Sequence, residues 1–456
     1  MTMNRWLIGG GIAAAAIAGI FFVQQQAKAA DLGKDGLGDL EERVAELEAT
    51  TARKGSRKVT LTVSGYVSHQ VLFWDDGTNH NTYIGDGGNM GSRFRFIGDA
   101  KISPEMTAGF LYEFGAAENK LGKMTQGAGG DDLGGAIEIR QSVAWLGHKN
   151  LGKVKIGYGS TATDDAILVD LGGISAASTP DVAVFNGGFF PATKDGTSAP
   201  ISWGHALNGG ISFDTARRNH VLYESPSLAG FTVAASVAEN DFWDVALKFA
   251  GEFGDFRLAG IIGHSVDKEG ANHLATSFQS FPFDVGISVN SAKVTDTKGS
   301  ASLMHVPTGL FLNVAAGQRK LGGSTLGADV SVFGFPIPAL SGEMALATRD
   351  PMFWHVAGGI ARNWFGIGKT VAYGEYQEAK DMLAFTDGAA NPTGIASSKA
   401  TMIGAGVVQH IDAAAMEVFL AVKQYKLDAT MVDSGVAEAM KSDAFTAIIV
   451  GTRIQF

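Results

Sequence analysis

Residues 59–76 read VTLTVSGYVSHQVLFWDD. Val59, Leu61, Val63, Val67, Val71 and Phe73 share one parity, while Thr60, Thr62, Ser64, Ser68 and Gln70 hold the other. Successive side chains on a strand point to opposite faces, so this segment is a strand with one apolar and one polar face. The pattern returns downstream. Phe94 and Phe96 alternate with Arg93, Arg95 and Asp99, and Phe110, Tyr112 and Phe114 with Thr107, Gly109 and Glu113. Ile137, Ile139, Val143 and Trp145 are set against Glu138, Arg140 and Ser142; Val154, Ile156 and Tyr158 are set against Lys153 and Lys155. Charges recurring at one parity would be intolerable in a soluble core. That face is wet, and the apolar face meets something other than water.

The connections alternate between short and long. Tight turns fall at residues 103–106, 150–152, 227–230, 253–255, 307–309, 365–368 and 412–415, with longer Gly/Asp/Asn/Thr-rich loops such as 75–91, 118–135 and 378–398 between them. Seven turns and eight loops join sixteen strands, which leaves both chain ends on the short-turn side. The expected fold is all-β, a 16-stranded antiparallel transmembrane β-barrel, apolar outside, polar inside and without a sheet edge. The tenth strand is placed at 299–306, leaving 265–298 as one loop; a strand pair within 281–294 would raise the count to eighteen. Ile448, Val450, Thr452, Ile454 and Phe456 close the chain at one parity. Ile454 and the terminal Phe456 read as an outer-membrane assembly signal for the barrel assembly machinery.

The N-terminus reads as an address. Arg5 precedes an apolar run from Trp6 to Val23, and Ala27-Lys28-Ala29 is an A-x-A cleavage pattern, so residues 1–29 are expected to be a signal peptide. Removing Arg5 and Lys28 takes the net charge from −10 to −12. In residues 30–58, Leu37, Leu40, Val44 and Leu47 keep heptad spacing among charged neighbours, followed by a basic hinge at Arg53, Lys54, Arg57 and Lys58. Such a short helix needs partners, which a periplasmic coiled coil in an oligomer or, alternatively, the rim of its own barrel would supply. Residues 59–456 form the barrel.

Composition removes other classes. With no Cys among 456 residues there is no disulfide scaffold, thiol nucleophile or thiolate metal site. A net charge of −10 argues against a nucleic-acid binder, which should carry a basic stripe. The segment 365–370 resembles the end of a phosphate-binding loop, but Asn363 stands where its first Gly belongs and a strand follows. No cofactor motif and no hydrolase constellation is present. The pairs Asp75-Asp76, Asp131-Asp132 and Asp164-Asp165 offer loop oxygens to Ca²⁺, but no EF-hand spacing accompanies them and solvated loop charge is the favoured reading. Trp74, Trp145, Trp243, Trp354 and Trp364 are expected near strand ends or facing lipid.

Five ordered runs carry a family resemblance: the opening stretch, SRFRFIGDAKISPEMTAGFLY (92–112), RQSVAWLGHKNLGKVKIGYGS (140–160), NHVLYESPSLAG (219–230) and SLMHVPTGLFLNVAAGQ (302–318). The chain resembles the general Gram-negative porins, most closely those of α-proteobacteria with a short N-terminal coiled coil. The resemblance implies a homotrimer in outer-membrane lipid and lipopolysaccharide, each barrel a water-filled pore for small hydrophilic solutes. It also implies that the loop after the fifth strand, residues 160–218, folds into the pore.

That loop carries Asp164, Asp165, Asp170, Asp181, Asp195 and Asp214. Folded inward it brings carboxylates to face Arg93, Arg95, Arg140 and Lys155, which share the inward parity. Opposed acidic and basic walls make a transverse field that orients polar solutes. The plainer alternative pairs each wall arginine with a neighbouring carboxylate such as Glu138. The mature net charge points to mild cation preference, which inward arginines would reverse. A substrate-specific channel, a barrel hydrolase and a tether holding peptidoglycan through residues 30–58 are the competing functions.

Overall fold

The computed structural model describes residues 58–456, apart from 117–118, 194–198, 200, 209–211, 215–216, 269–273, 281–282, 333–334, 337–341, 346, 383–384, 387–393 and 434. The signal peptide and the coiled coil lie outside the described residues. Sixteen strands close a barrel in chain order. They are β1 (Thr60–Asp75), β2 (Arg93–Lys101), β3 (Met106–Ala116), β4 (Ile137–His148), β5 (Gly152–Gly159), β6 (Arg218–Glu224), β7 (Phe231–Ala238) and β8 (Phe242–Phe253). There follow β9 (Phe256–Asp267), β10 (Phe283–His305), β11 (Leu310–Val332), β12 (Met352–Arg362), β13 (Thr370–Lys380), β14 (Gly394–Ile411), β15 (Met416–Asp433) and β16 (Phe445–Gln455). Every neighbour is antiparallel, and β16 returns to β1 in register from Tyr66↔Gln455 to Asp75↔Thr446. Closure satisfies each ladder within the protein, which a bilayer demands.

All seven short turns fall where the alternation places them. The tenth strand does not. It begins at Phe283, sixteen residues before the expected start at Gly299, and pairs with β11 over almost its whole length. Leu274–Ser280 pairs back onto it from Leu274↔Val289 to Ser280↔Phe283. The stretch therefore holds a hairpin, yet its second strand is continuous with β10 and adds nothing to the circumference. The wall is uneven as a result: β2–β7 have 7 to 12 residues, whereas β10 and β11 have 23 each.

Glycine and aromatic residues are partners in this wall. Gly98 faces Phe110 across β2–β3, and a Cβ there would meet the Phe110 ring at 2.1 Å. Gly109 takes the Trp145 ring in the same way, at 2.3 Å. Rings lying over strand glycines cover backbone where no side chain packs.

Outward and inward parities agree with the sequence for most strands. Val67, Phe73, Val154, Ile156, Ile448, Val450 and Ile454 are exposed on the outer face, and Ser68 and Gln70 are buried inside. One strand changes phase. In β3–β4, Glu113 faces Gln141 and Phe114 faces Ile139, so Arg140 is an extra residue, a β-bulge. Ile137 and Ile139 point out, but beyond the bulge Val143 and Trp145 point in, and Ala144 and Leu146 take the outer face. Trp74 also departs from expectation. It is buried inside against Phe189 and Phe445, while Trp243, Trp354 and Trp364 are exposed.

Candidate functional site

The bulge builds the basic wall. By adding one residue it aims Arg140 and Gln141 at the same carboxylate, Glu113 on β3. Arg140 Nε donates to Glu113 Oε1 at 2.7 Å and Arg95 Nε to Oε2 at 2.6 Å, with Arg93 Nη1 at 3.6 Å from Oε1. Glu113 is fully buried beneath the three guanidinium groups. Arg140 also reaches Glu138 at 3.4 Å. The pairing alternative is thus observed for all three arginines, with Glu113 as the principal partner and Glu138 a second contact of Arg140. Three cations on one buried anion leave a surplus of two positive charges on this wall. Lower down, Lys155 meets Glu224 at 2.7 Å and Lys248 meets the other oxygen of the same carboxylate at 3.8 Å.

The loop between β5 and β6 lies inside the barrel and crosses it. At its root Asp244 of β8 accepts from Thr163 N and Thr163 Oγ1, both at 2.8 Å. Val169 N donates to Ser300 Oγ at 3.1 Å and Leu171 N to Ser302 Oγ at 3.0 Å, stitching the chain to β10. Farther across, Tyr373 Oη donates to Ala177 O at 3.1 Å. Ser178 Oγ donates to Glu375 Oε2 at 2.7 Å; that carboxylate also holds His355 Nε2 at 3.2 Å and Lys423 Nζ. Behind these polar pins the loop packs an apolar core. Phe185, Phe189, Ile201 and Trp203 bury against Val371, Phe419, Tyr425, Phe445 and Ile449 of the far wall. Trp203 belongs to a short helical turn, Trp203–Asn208. An apolar core inside the barrel corrects the expectation that the inner face is polar throughout.

Wall and loop residues together line a cavity of about 1040 Å³. Arg93, Arg95, Arg140 and Lys155 line it from the wall, and Asp164, Asp165, Asp170 and Asp214 from the loop. The loop carboxylates are not equivalent. Asp170 spends its oxygens on the backbone N–H groups of Gly172, Gly173 and Ile174, on Ser175 Oγ and on Asn313 Nδ2, at 2.7 to 3.1 Å. It shapes the loop more than it charges the lumen. Asp181 accepts from Asn208 within the loop and does not line the cavity. Asp195 lies outside the described residues. Asp164, Asp165 and Asp214 converge, each with an oxygen within 4.8 Å of the others. Burial, reinforced by the Asp164 charge, pushes Asp165 up to about 6, and burial together with Asp164 and Asp165 pushes Asp214 well above the usual carboxylate range.

Sequence reasoning missed the roles of four residues. Glu113 was legible as an inward carboxylate but not as the anion under three arginines, because the bulge that joins them leaves no local mark. Arg217, at the end of the loop, lines the same cavity and interacts with Asp164, Asp165 and Glu113. Glu375 and Lys423, the buried pair that receives Ser178, sit on strands far apart in sequence.

A closed antiparallel barrel with an apolar outer belt, a charged lumen and a loop crossing it defines the class of outer-membrane β-barrel channels. Within that class the chain belongs to the Gram-negative porin family, whose profile matches residues 12–430. Its place is the outer membrane. No curated protein sequence matches the chain. Among solved structures, in-vitro folded OmpT, an outer membrane protein of Vibrio cholerae, superposes with a TM-score of 0.51 at 16% identity, covering 88% of this chain and 99% of that one. The anion-selective porin from Comamonas acidovorans gives 0.46 at 15% identity, covering 87% of this chain and 100% of that one. OmpF of Salmonella typhi, in complex with daunomycin, gives 0.47 at 11%, covering 88% and 99%. At such identities the OmpT likeness is one of fold alone.

Proposed function

We propose that the protein is a diffusion porin, a water-filled pore for small hydrophilic solutes and ions, narrowed where the inward loop faces the arginine wall. The observation that carries this reading is the shared cavity, lined from one side by Arg93, Arg95 and Arg140 and from the other by Asp164, Asp165 and Asp214. Such opposed charge orients a dipolar solute and sorts ions without binding them tightly. Net chain charge does not decide the sign of the preference. Arg93, Arg95, Arg140, Lys153, Lys155, Arg217, Lys248 and Arg453 line the cavity against Asp99, Glu113, Asp164, Asp165, Asp170, Asp214 and Glu224. With Glu113 buried under arginines and Asp170 committed to backbone, the accessible balance favours weak anion preference, the reverse of what the acidic composition suggests.

The functional unit is a homotrimer embedded in lipid and lipopolysaccharide and assembled through the C-terminal strand. Residues 30–58 supply a coiled coil for that trimer and a contact with peptidoglycan; deleting 30–55 should release the barrel from purified sacculi. Planar-bilayer recordings under a salt gradient test the pore: discrete conductance steps with an anion-directed reversal potential are expected. A bilayer that shows no steps rejects the channel. Hydrolysis of an ester and peptide panel by the purified protein would instead support a barrel enzyme.

A further inference from the structure

The three acidic pairs flagged in the sequence do different work in the fold. Asp75 Oδ1 accepts from Gly77 N at 2.8 Å, and Asp76 Oδ1 from Thr78 N and Asn79 N at 2.9 and 2.6 Å. Asp132 Oδ2 accepts from Gly129 N at 2.7 Å. Those carboxylates serve their own turns. The third pair gains a distant partner. Asp164 and Asp165 at the start of the inward loop meet Asp214 at its end, with Asp165 N donating to Asp214 Oδ1 at 2.7 Å. Asp164 is only 6% exposed, and its Oδ2 is buried with no hydrogen-bond partner among the described residues. Thr161 Oγ1, in the same loop root, is likewise buried and unpartnered.

A buried carboxylate oxygen without a donor is costly, and three carboxylates together raise that cost. A cation relieves both. The donor set is oxygen throughout, which suits a hard ion. A flexible set of carboxylates suits Ca²⁺, whereas Mg²⁺ demands near-ideal octahedral geometry and gives up its waters reluctantly. The geometry points to a Ca²⁺ site formed by Asp164, Asp165 and Asp214, which clips the two ends of the inward loop together. Arg217, Lys298, Lys248 and Arg93 also face these acids and weaken the site without filling it. Occupancy offsets the carboxylate charge at the loop root and leaves the arginine wall less opposed.

Calorimetric titration of CaCl₂ into the EDTA-stripped, full-length protein in detergent tests the site without recourse to conductance, so it stands or falls apart from the pore reading. One Ca²⁺ per chain is expected, with a Kd of about 0.1–1 mM, the range of extracellular sites, and Mg²⁺ binding at least about tenfold weaker. Asp214→Asn should weaken Ca²⁺ binding by about tenfold or more, while Asp131→Asn leaves it unchanged. Arg217→Gln should tighten it severalfold, a gain that misfolding cannot mimic. No heat of binding at about 10 mM Ca²⁺, or an affinity indifferent to both Asp214→Asn and Arg217→Gln, overturns the proposal.

Discussion

The two halves of the lumen are made by the same alternation and end up with opposite chemistry. On β2–β6 the inward residues include Arg93, Arg95, Glu113, Arg140, Lys155 and Glu224, interspersed with Val143 and Trp145, and they face the cavity. On β13–β16 they include Val371, Tyr373, Phe419, Tyr425, Phe445 and Ile449, and they are covered by the loop. Where the loop packs, the second wall is apolar on both faces, outward for lipid and inward for Phe185, Phe189 and Trp203, with the Glu375–Lys423 pair buried among them. A barrel of this kind has a core after all, confined to one side, and that core holds the loop against the charges of the other.

The comparison can be broken most severely at Glu113. Glu113→Gln strands three arginines around a buried neutral group, and removing one partner of a buried ion pair costs about 3–5 kcal/mol. Urea unfolding in lipid vesicles should show that loss, and the reversal potential should move further toward anions. An unchanged midpoint would mean the arginines are solvated independently of Glu113. The packed side breaks next. Phe185→Ala opens a cavity in the loop core at a cost of about 3–5 kcal/mol in the loop's attachment. Part of that loss is local, so its mark is higher and noisier single-channel conductance with a smaller shift in barrel unfolding.

The phase change at Arg140 sharpens the comparison. The chain contains no Cys, so single-cysteine variants report their own exposure. Trp145→Cys should react with a membrane-impermeant charged thiol reagent in vesicles, and Leu146→Cys should not. The reverse pattern would restore the parity read from the sequence. The smallest effect is that of pH. Asp165 titrates near 6 in the folded protein, above the ordinary carboxylate value of 3.8. The folded state therefore holds its proton more tightly, and the stability this contributes is present below pH 4 and is lost as pH rises through 6. In conductance, acidification from pH 7 to 5 should neutralise Asp165 and increase anion preference modestly. A reversal potential flat across that window would remove Asp165 from the ion path.

Much of this was legible in the sequence because lipid and water impose period two on every strand. The seven turns, the closing strand and the inward parity of Arg93, Arg95 and Lys155 follow from that constraint alone. What was hidden depends on contacts without a period. Val143, Ala144, Trp145 and Leu146 are all apolar, so nothing in the sequence marks the phase slip at Arg140. Trp74 looked like a membrane-interface residue until the loop supplied Phe189 to cover it. The convergence of Asp164 with Asp214, fifty residues apart, is a property of how the loop returns to its root.

The last residue carries a further consequence. Gly65 N donates to Phe456 O at 2.9 Å, and Phe456 N donates to Gly65 O at 3.0 Å. The seam of the cylinder thus runs from Gly65 and Phe456 up the ladder to Asp75 and Thr446, joining residues about 390 positions apart in the chain. Without β16, β1 would keep one whole side of unpaired amides and carbonyls, a template for any other strand. The wall is therefore only as closed as its most distant pairing, and a chain that has not yet made it is an open sheet.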